Sequence, residues 1–471
     1  MKREYSNRLT ASLSYFGAVV AGQAMAFLVL PFVTRALSPS TYGTYSLTLA
    51  VMSLAAMIAT SWMRNVALTI YYESADRGAT KGFFIGLALM QLVSFTLVSA
   101  AVIGFLLIWS GDSYDFRTLL SAWLMFVVSD LAILATTLLR AERRATAFGI
   151  VEGGGAFLRF LLTVIGLAVG LRSAALLFDA AALGYAIAAV VAVRLLWPRL
   201  SGPPRPDRVV IRTVLRHGPG ALPFSIAEWV ERLSDRLVIE AYLGTAAVGI
   251  YSIGYTLGER TIGAVMNAVF LMAWPNILEA NERHGASATK LAIREAQAMY
   301  AWFTVGPTAF LVAYGAEVLR WFAGANFAES GQIVPIVAAS MWVGGLTTYW
   351  NRHMEMRRNY KTLSAIRIVG AALNLALNIL LVPMYGILGA AWATMVARAV
   401  NGAAFFVTRD REVTEIPLRP LVAAGGLSTV LWLSLYLSGL ATVWQCIFFV
   451  LVYAVVALFQ LRKISRSAGP N

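Results

Sequence analysis

Fourteen runs of 17 to 28 mostly apolar residues recur along this 471-residue chain, and no other feature limits its fold as much. A bilayer hydrocarbon core about 30 Å thick is crossed by about 20 apolar residues in α-helix, at about 1.5 Å rise each. The runs are residues 10–33, 44–63, 82–109, 118–139, 147–171, 174–197, 221–243, 248–274, 298–316, 333–349, 363–382, 387–407, 421–437 and 443–461. The pieces between and beyond them average 11 residues, so no extramembrane domain fits. Composition agrees: 59% of residues are apolar and 13% charged, against about 25% charged in soluble domains. The expected fold is an all-α polytopic membrane protein with 14 transmembrane helices.

The first run is too long for a signal-peptide core and no small-residue cleavage pattern follows it, so it is expected to stay as a membrane helix. With Lys2, Arg3 and Arg8 inside, the cytosolic pieces collect 27 Lys and Arg and the outer pieces only Arg35, Arg117, Arg172 and Arg320. That is the positive-inside pattern, with both termini cytosolic. The net charge of +14 is thus mostly a topology signal. Nucleic acid is not an expected partner, because no loop combines an extended basic and aromatic surface. A single cysteine, Cys446, and three scattered histidines, His217, His284 and His353, match no disulfide framework and no zinc spacing.

Gly43-Thr44-Tyr45-Ser46 and Gly249-Ile250-Tyr251-Ser252 stand 206 residues apart, each at the same place between two runs. Six runs separate the copies, so both halves are expected the same way up, as in parallel-repeat transporters. The implied organisation is a six-helix lobe over residues 1–198, a basic linker at 199–220, a second six-helix lobe at 221–408, and two further helices with a cytosolic tail at 409–471. In the linker, Asp207 is a plausible helix N-cap. Arg208, Arg212 and Arg216 follow at four-residue intervals beside Val210 and Val214, which reads as a basic amphipathic helix on the inner leaflet.

An ionisable group at mid-membrane costs about 2.5–3.5 kcal/mol on insertion scales and needs a partner or a watery cavity. The seventh run is the extreme case, with Glu228, Glu231, Arg232, Asp235, Arg236 and Glu240. At 100° per residue, Glu228, Glu231, Arg232 and Asp235 share one side, while Glu228–Arg232 and Arg236–Glu240 have the spacing of i,i+4 ion pairs. Arg64, Asp130, Glu152, Arg159, Asp179, Glu259, Arg260, Arg367 and Arg398 fall in other runs. Collectively they imply a central aqueous cavity between two pseudo-symmetric lobes, and a polar or charged cargo. Arginine keeps its charge at any working pH and grips phosphate through paired hydrogen bonds, so a phosphate-bearing ligand would engage these arginines. The acids would compensate them, or carry a proton or sodium ion; no other cofactor is expected. Gly153-Gly154-Gly155, Pro223, Pro307 and Pro335 are candidate helix breakers in a moving structure.

The stretch from Leu373 to Thr394, LNLALNILLVPMYGILGAAWAT, closely resembles the eleventh and twelfth helices of bacterial Wzx-type polysaccharide-unit flippases. These are members of the multidrug, oligosaccharidyl-lipid and polysaccharide exporter superfamily. In it Asn374 and Asn378 are polar, Asn378 being placed to bond across helices, Pro383 and Gly386 make a tight outer turn, and Gly389 permits close helix approach. Similar resemblance is carried by Arg35 to Ser46 around Gly43, by Leu139-Arg140-Ala141, and by Asp235 to Ser252 around Gly249. The resemblance implies alternating access in the bacterial inner membrane for an undecaprenyl-diphosphate-linked oligosaccharide, serving O-antigen or exopolysaccharide synthesis. It further implies membrane lipids, and the polymerase and chain-length proteins of the same pathway, as partners. On that reading Arg64, Arg236 and Arg260, then Arg232 and Arg159, meet the diphosphate or sugar acid, and Glu228, Asp235 and Glu259 serve charge compensation or ion coupling. The alternatives are a multidrug or peptidoglycan-lipid exporter of the same superfamily, or a membrane polysaccharide polymerase or ligase. The last is disfavoured by the longest outer loop, Glu317 to Gln332, which has one arginine and no histidine.

Overall fold

The computed structural model describes residues 17, 21–109, 115–142, 144–357, 359–410 and 416–467. All regular structure among them is helical. Ten helices are long and apolar enough to cross a bilayer, or eleven when the pair Ala325–Gln332 and Val334–Met356, bent by 50°, counts as one span. The difference from fourteen has local causes. The described part of the first run is a short helix, α1 (Ala21–Ala36), and the rest of that run except Gly17 lies outside the described residues. The seventh run is too charged to qualify, the tenth is the bent pair, and the eleventh and twelfth run together. Lys2, Arg3, Arg8, Arg143, Arg358 and Arg411 also lie outside the described residues, as do the side chains of His217, Arg352, His353, Lys463 and Arg466.

The chain divides into two compact units, Met1–Gly249 and Ile250–Asn471. In the first, α2 (Pro39–Ala56) opens with Pro39 at its first position and the Ser38 hydroxyl accepting from Thr41 N at 3.1 Å. A π-helical turn, Met57–Ser61, leads into α3 (Trp62–Asp76). Then come α4 (Thr80–Trp109), α5 (Phe116–Ala141), α6 (Ala145–Ala168) and α7 (Ala174–Leu196). Asp115 caps α5 and Ser173 caps α7. One apolar cluster joins Trp62, Phe83, Leu138, Phe148 and Leu196, and another joins Met52, Phe95, Ala122 and Phe178.

The linker helix α8 (Arg208–His217) is a built part of this unit. Asp207 caps it, accepting from Val209 N at 2.8 Å, and is itself held by Arg77 at 3.1 Å. Val210 and Val214 are fully buried in the Trp62–Phe83 cluster, each contributing about 1.5–3 kcal/mol by that burial. Arg208, Arg212 and Arg216 are exposed on the opposite face. Next, α9 (Leu222–Leu243) packs on α2 and the π turn. Pro223 sits in its first turn, where no backbone N–H is needed, so it breaks nothing. Gly153, Gly154 and Gly155 likewise lie in unbroken α6.

The helix α10 (Thr245–Arg283) runs from the first unit into the second. The second unit continues with α11 (Gly285–Phe322), α12 (Val334–Met356), α13 (Tyr360–Val407), α14 (Leu418–Leu437) and α15 (Thr442–Ser467). Pro335 is in the first turn of α12, and α11 continues through Pro307. The 48 residues of α13 are two helices joined at Gly386, whose φ of 61° and ψ of −144° only glycine adopts at low cost. Three residues on, a Cβ on Gly389 would sit 2.2 Å from Leu381 O, so the backbone turns tightly at Gly386 and is closely approached at Gly389. Val269, Ile293, Tyr300 and Tyr349 form one apolar cluster of this unit, and Tyr314, Phe449 and Tyr453 belong to another.

Candidate functional site

The charged stripe of α9 is divided along its length. Glu228 and Arg232 face each other at 3.9 Å with about half of each side chain exposed (48% and 55%). One turn on, Asp235 and Arg236 are buried, with side-chain exposures of 2% and 7%. Arg236 Nη1 donates to Asp235 Oδ1 at 2.7 Å and to Arg232 O at 2.7 Å, and Arg236 N donates to the same Asp235 oxygen at 2.9 Å. Glu240 accepts from Thr245 Oγ1 at 2.8 Å. The charged side of the helix is therefore open at its start and closed in its middle. Trp229 anchors the helix, its indole donating to Ala50 O at 3.0 Å and Ser53 Oγ at 3.1 Å on α2.

Arg64 is placed by the π turn before it. Such a turn adds a residue to the helical repeat and re-aims the side chains beyond it. Three of its carbonyls and that of the preceding Ala56 are taken by side chains: Thr60 on Ala56 O at 2.9 Å, Ser61 on Met57 O at 2.5 Å, Trp62 on Ile58 O at 3.0 Å and Ser94 on Ala59 O at 3.0 Å. Arg64 then donates to Asp130 Oδ1 on α5, with 31% of the arginine side chain and 7% of the aspartate still exposed. Asp130 is thus the partner of a residue expected at the site; the sequence placed it in the membrane without a role. Arg159, half-buried on α6, lies 4.1 Å over the Tyr185 ring of α7, a cation–π contact.

In the second unit Glu259 and Arg260 are adjacent and half-buried on α10. Arg398 is buried on α13 and donates to Ser340 Oγ at 3.1 Å, Met341 Sδ at 3.0 Å and Tyr255 Oη at 3.3 Å. Asn374 and Asn378 are fully buried, but their roles are exchanged relative to expectation. Asn378 Nδ2 bonds within its own helix, to Asn374 O at 2.8 Å and Oδ1 at 3.3 Å. Asn374 makes the link past the Gly386 turn, to Thr394 Oγ1 at 3.4 Å. The reason is spacing: Asn378 lies one turn after Asn374, where the backbone carbonyl is nearest. The first unit thus brings together Arg64 with Asp130, Arg232 with Glu228, and Arg236 with Asp235; Arg260 and Glu259 belong to the second unit. Chemically, the pairs offer forked donors for phosphate oxygens and carboxylates able to exchange those donors for a cation.

The sequence profile of the polysaccharide biosynthesis protein family matches residues 32–332, more than half of the chain. A probable low-salt glycan biosynthesis flippase, Agl15, from Haloferax volcanii is 22% identical over 404 residues, covering 83% of this chain and 81% of that protein. Among solved structures, the lipid II flippase MurJ in an inward closed conformation superposes with a TM-score of 0.75 at 14% identity, covering 97% of this chain and 99% of that one. An inward-facing multidrug transporter of the MATE family, in the MOP superfamily, gives 0.59 at 14% identity over 89% of this chain and 96% of that one. The fold is MATE-like, and family, relative and fold together support a flippase-type transporter in glycan biosynthesis.

Proposed function

The chain belongs to the polysaccharide biosynthesis protein family, and from that premise we propose that it carries an undecaprenyl-diphosphate-linked oligosaccharide from the inner to the outer leaflet of the bacterial inner membrane by alternating access. In this reading it has 14 spans as two six-helix lobes plus two, and cytosolic termini. The observation that carries the proposal is the divided stripe of α9, with Arg232 about half exposed and 3.9 Å from Glu228. A pair that loose is worth little, about 0–1 kcal/mol, so an arriving diphosphate displaces the carboxylate at small cost and takes the guanidinium as a fork. Arg236, Arg64, Arg159 and Arg260 are the further contacts along the path. Asp235, Glu228 and Glu259 balance their charge and exchange it for a proton or sodium ion as cargo leaves. Polymerase and chain-length proteins act next on the delivered unit.

Arg232→Ala tests this, because substitution of an exposed side chain usually changes stability little. Membrane levels matching wild type with surface-glycan export reduced at least tenfold are expected; full export at normal levels would overturn the role. A second reading comes from the TM-score of 0.75 to a lipid II flippase: the cargo is the peptidoglycan precursor. Survival of cells whose own lipid II flippase is depleted, on expression of this chain, would select that reading.

A further inference from the structure

Gln91 on α4 and Gln297 on α11 stand 206 residues apart, the offset that separates Gly43 from Gly249. The two helices keep that register in what they bury. Phe83, Leu87, Gln91 and Phe95 make the innermost stripe of α4; Thr289, Ile293, Gln297 and Ala301 are buried at the same steps of α11. Only at the third step is the residue the same, and there it is a polar amide. Gln91 is 3% exposed and Gln297 0%. Among the described residues, neither the Oε1 nor the Nε2 of either has a hydrogen-bond partner.

A buried amide without a partner has lost its water and gained nothing, which is why such groups are scarce in native proteins. Two of them at matching places in two repeats are not scattered packing defects. Each also lies one helical turn from a contact that fixes a neighbouring element. Ser94 Oγ donates to Ala59 O in the π turn at 3.0 Å, and Tyr300 Oη donates to Trp342 O on α12 at 2.5 Å. Other polar atoms among the described residues are buried in the same condition: Trp342 Nε1 and Asn351 Oδ1 on α12, and Thr48 Oγ1 on α2 and Asp130 Oδ2 on α5.

We propose that Gln91 and Gln297 are matched catches for a second packing state: α4 and α11 slide along their neighbours during the transport cycle, and amides that are unbonded here become bonded there. A slide of one helical turn, about 5.4 Å, is a known kind of two-state movement between packed helices. The unmet amides raise the free energy of the present state and so keep the second one within reach. The inference rests on the flippase reading.

Gln91→Met and Gln297→Met, singly and together, replace each amide by an unbranched apolar chain of similar length. Thermal unfolding of the purified protein and surface-glycan export normalised to membrane level are both measured. Each variant is expected to unfold at a higher temperature than wild type, the double variant higher still, while export falls at least fivefold. A side chain that merely holds the fold would lower both quantities together. A lowered or unchanged unfolding temperature, including failure to fold, would overturn the proposal, and so would undiminished export from a stabilised variant. If the wild-type chain itself exports no glycan, the flippase reading fails; if it does and the variants export equally, only the glutamine proposal fails.

Discussion

Gly43 and Gly249 lie against each other as reciprocal partners. A Cβ on Gly43 would fall 1.9 Å from Thr245 O, and a Cβ on Gly249 would fall 2.0 Å from Pro39 O. Thr245 is Pro39 advanced by the same 206 residues that carry Gly43 to Gly249, so each motif offers the other the same glycine and the same carbonyl. The repeat in the sequence is therefore also a contact: first turns of α2 and α10 approach backbone to backbone because both lack a side chain there.

Gly43→Ala and Gly249→Ala are each expected to destabilise the protein by at least the roughly 1–3 kcal/mol typical of overpacking, because the obstructing atom is backbone and cannot turn aside. Gly154→Ala, in the middle of α6 with nothing within 4 Å, is the control and should gain up to about 1 kcal/mol in helix propensity. Unfolding temperatures in one detergent decide it: equal values for Gly43→Ala and Gly154→Ala would refute the close approach.

At Gly386 the constraint is conformational, since a Cβ there would meet nothing within 4 Å, whereas φ is 61°. Gly386→Ala is expected to cost about 1–3 kcal/mol through backbone strain alone. Gly389→Ala, which places its methyl 2.2 Å from Leu381 O, fails for a steric reason instead. Shortening Leu381, whose carbonyl is backbone, should rescue neither variant; restored stability of Gly389→Ala with Leu381→Ala would show the obstruction to be side chain.

The ion pair of Arg64 and Asp130 spans 66 residues of sequence and ties α3 to α5. Removing one partner of a buried pair typically costs about 3–5 kcal/mol; with 31% of the arginine exposed, Asp130→Asn and Arg64→Ala should fall near or below the lower figure. The double variant should lose much less than the sum of the two, which a double-mutant cycle on unfolding free energy measures. Strict additivity would mean the two groups do not act on each other.

How much of this was legible beforehand depended on range. Apolar runs, the Asp207 cap and the glycine at the Gly386 turn are local signals, legible from a few neighbouring residues. Partners distant in sequence were not legible: nothing near Arg64 announces Asp130, and the π turn that aims it has no composition of its own. The stripe on α9 misled for a related reason, since helical geometry fixes which side a residue occupies but not what covers that side at each level. Gln91 and Gln297 were findable, because sliding the sequence against itself by 206 residues aligns them; the glycine, tyrosine and serine shared by the motifs at Gly43 and Gly249 set that offset.

The two halves of the α9 stripe should respond oppositely to substitution. Arg232→Ala breaks a contact of 3.9 Å between half-exposed groups and is expected to change stability by no more than about 0.5 kcal/mol. Arg236→Ala takes away the guanidinium that Asp235 holds at 2.7 Å in a buried setting, and stranding that carboxylate is expected to cost about 3–5 kcal/mol. Arg236→Ala combined with Asp235→Asn removes the stranded charge and should recover part of the loss, whereas adding Glu228→Gln to Arg232→Ala should change nothing further. Unfolding temperatures of the four variants, compared at one ionic strength, separate these cases; a large loss in Arg232→Ala, or none in Arg236→Ala, would mean that the open and closed ends of the stripe have been assigned the wrong way round.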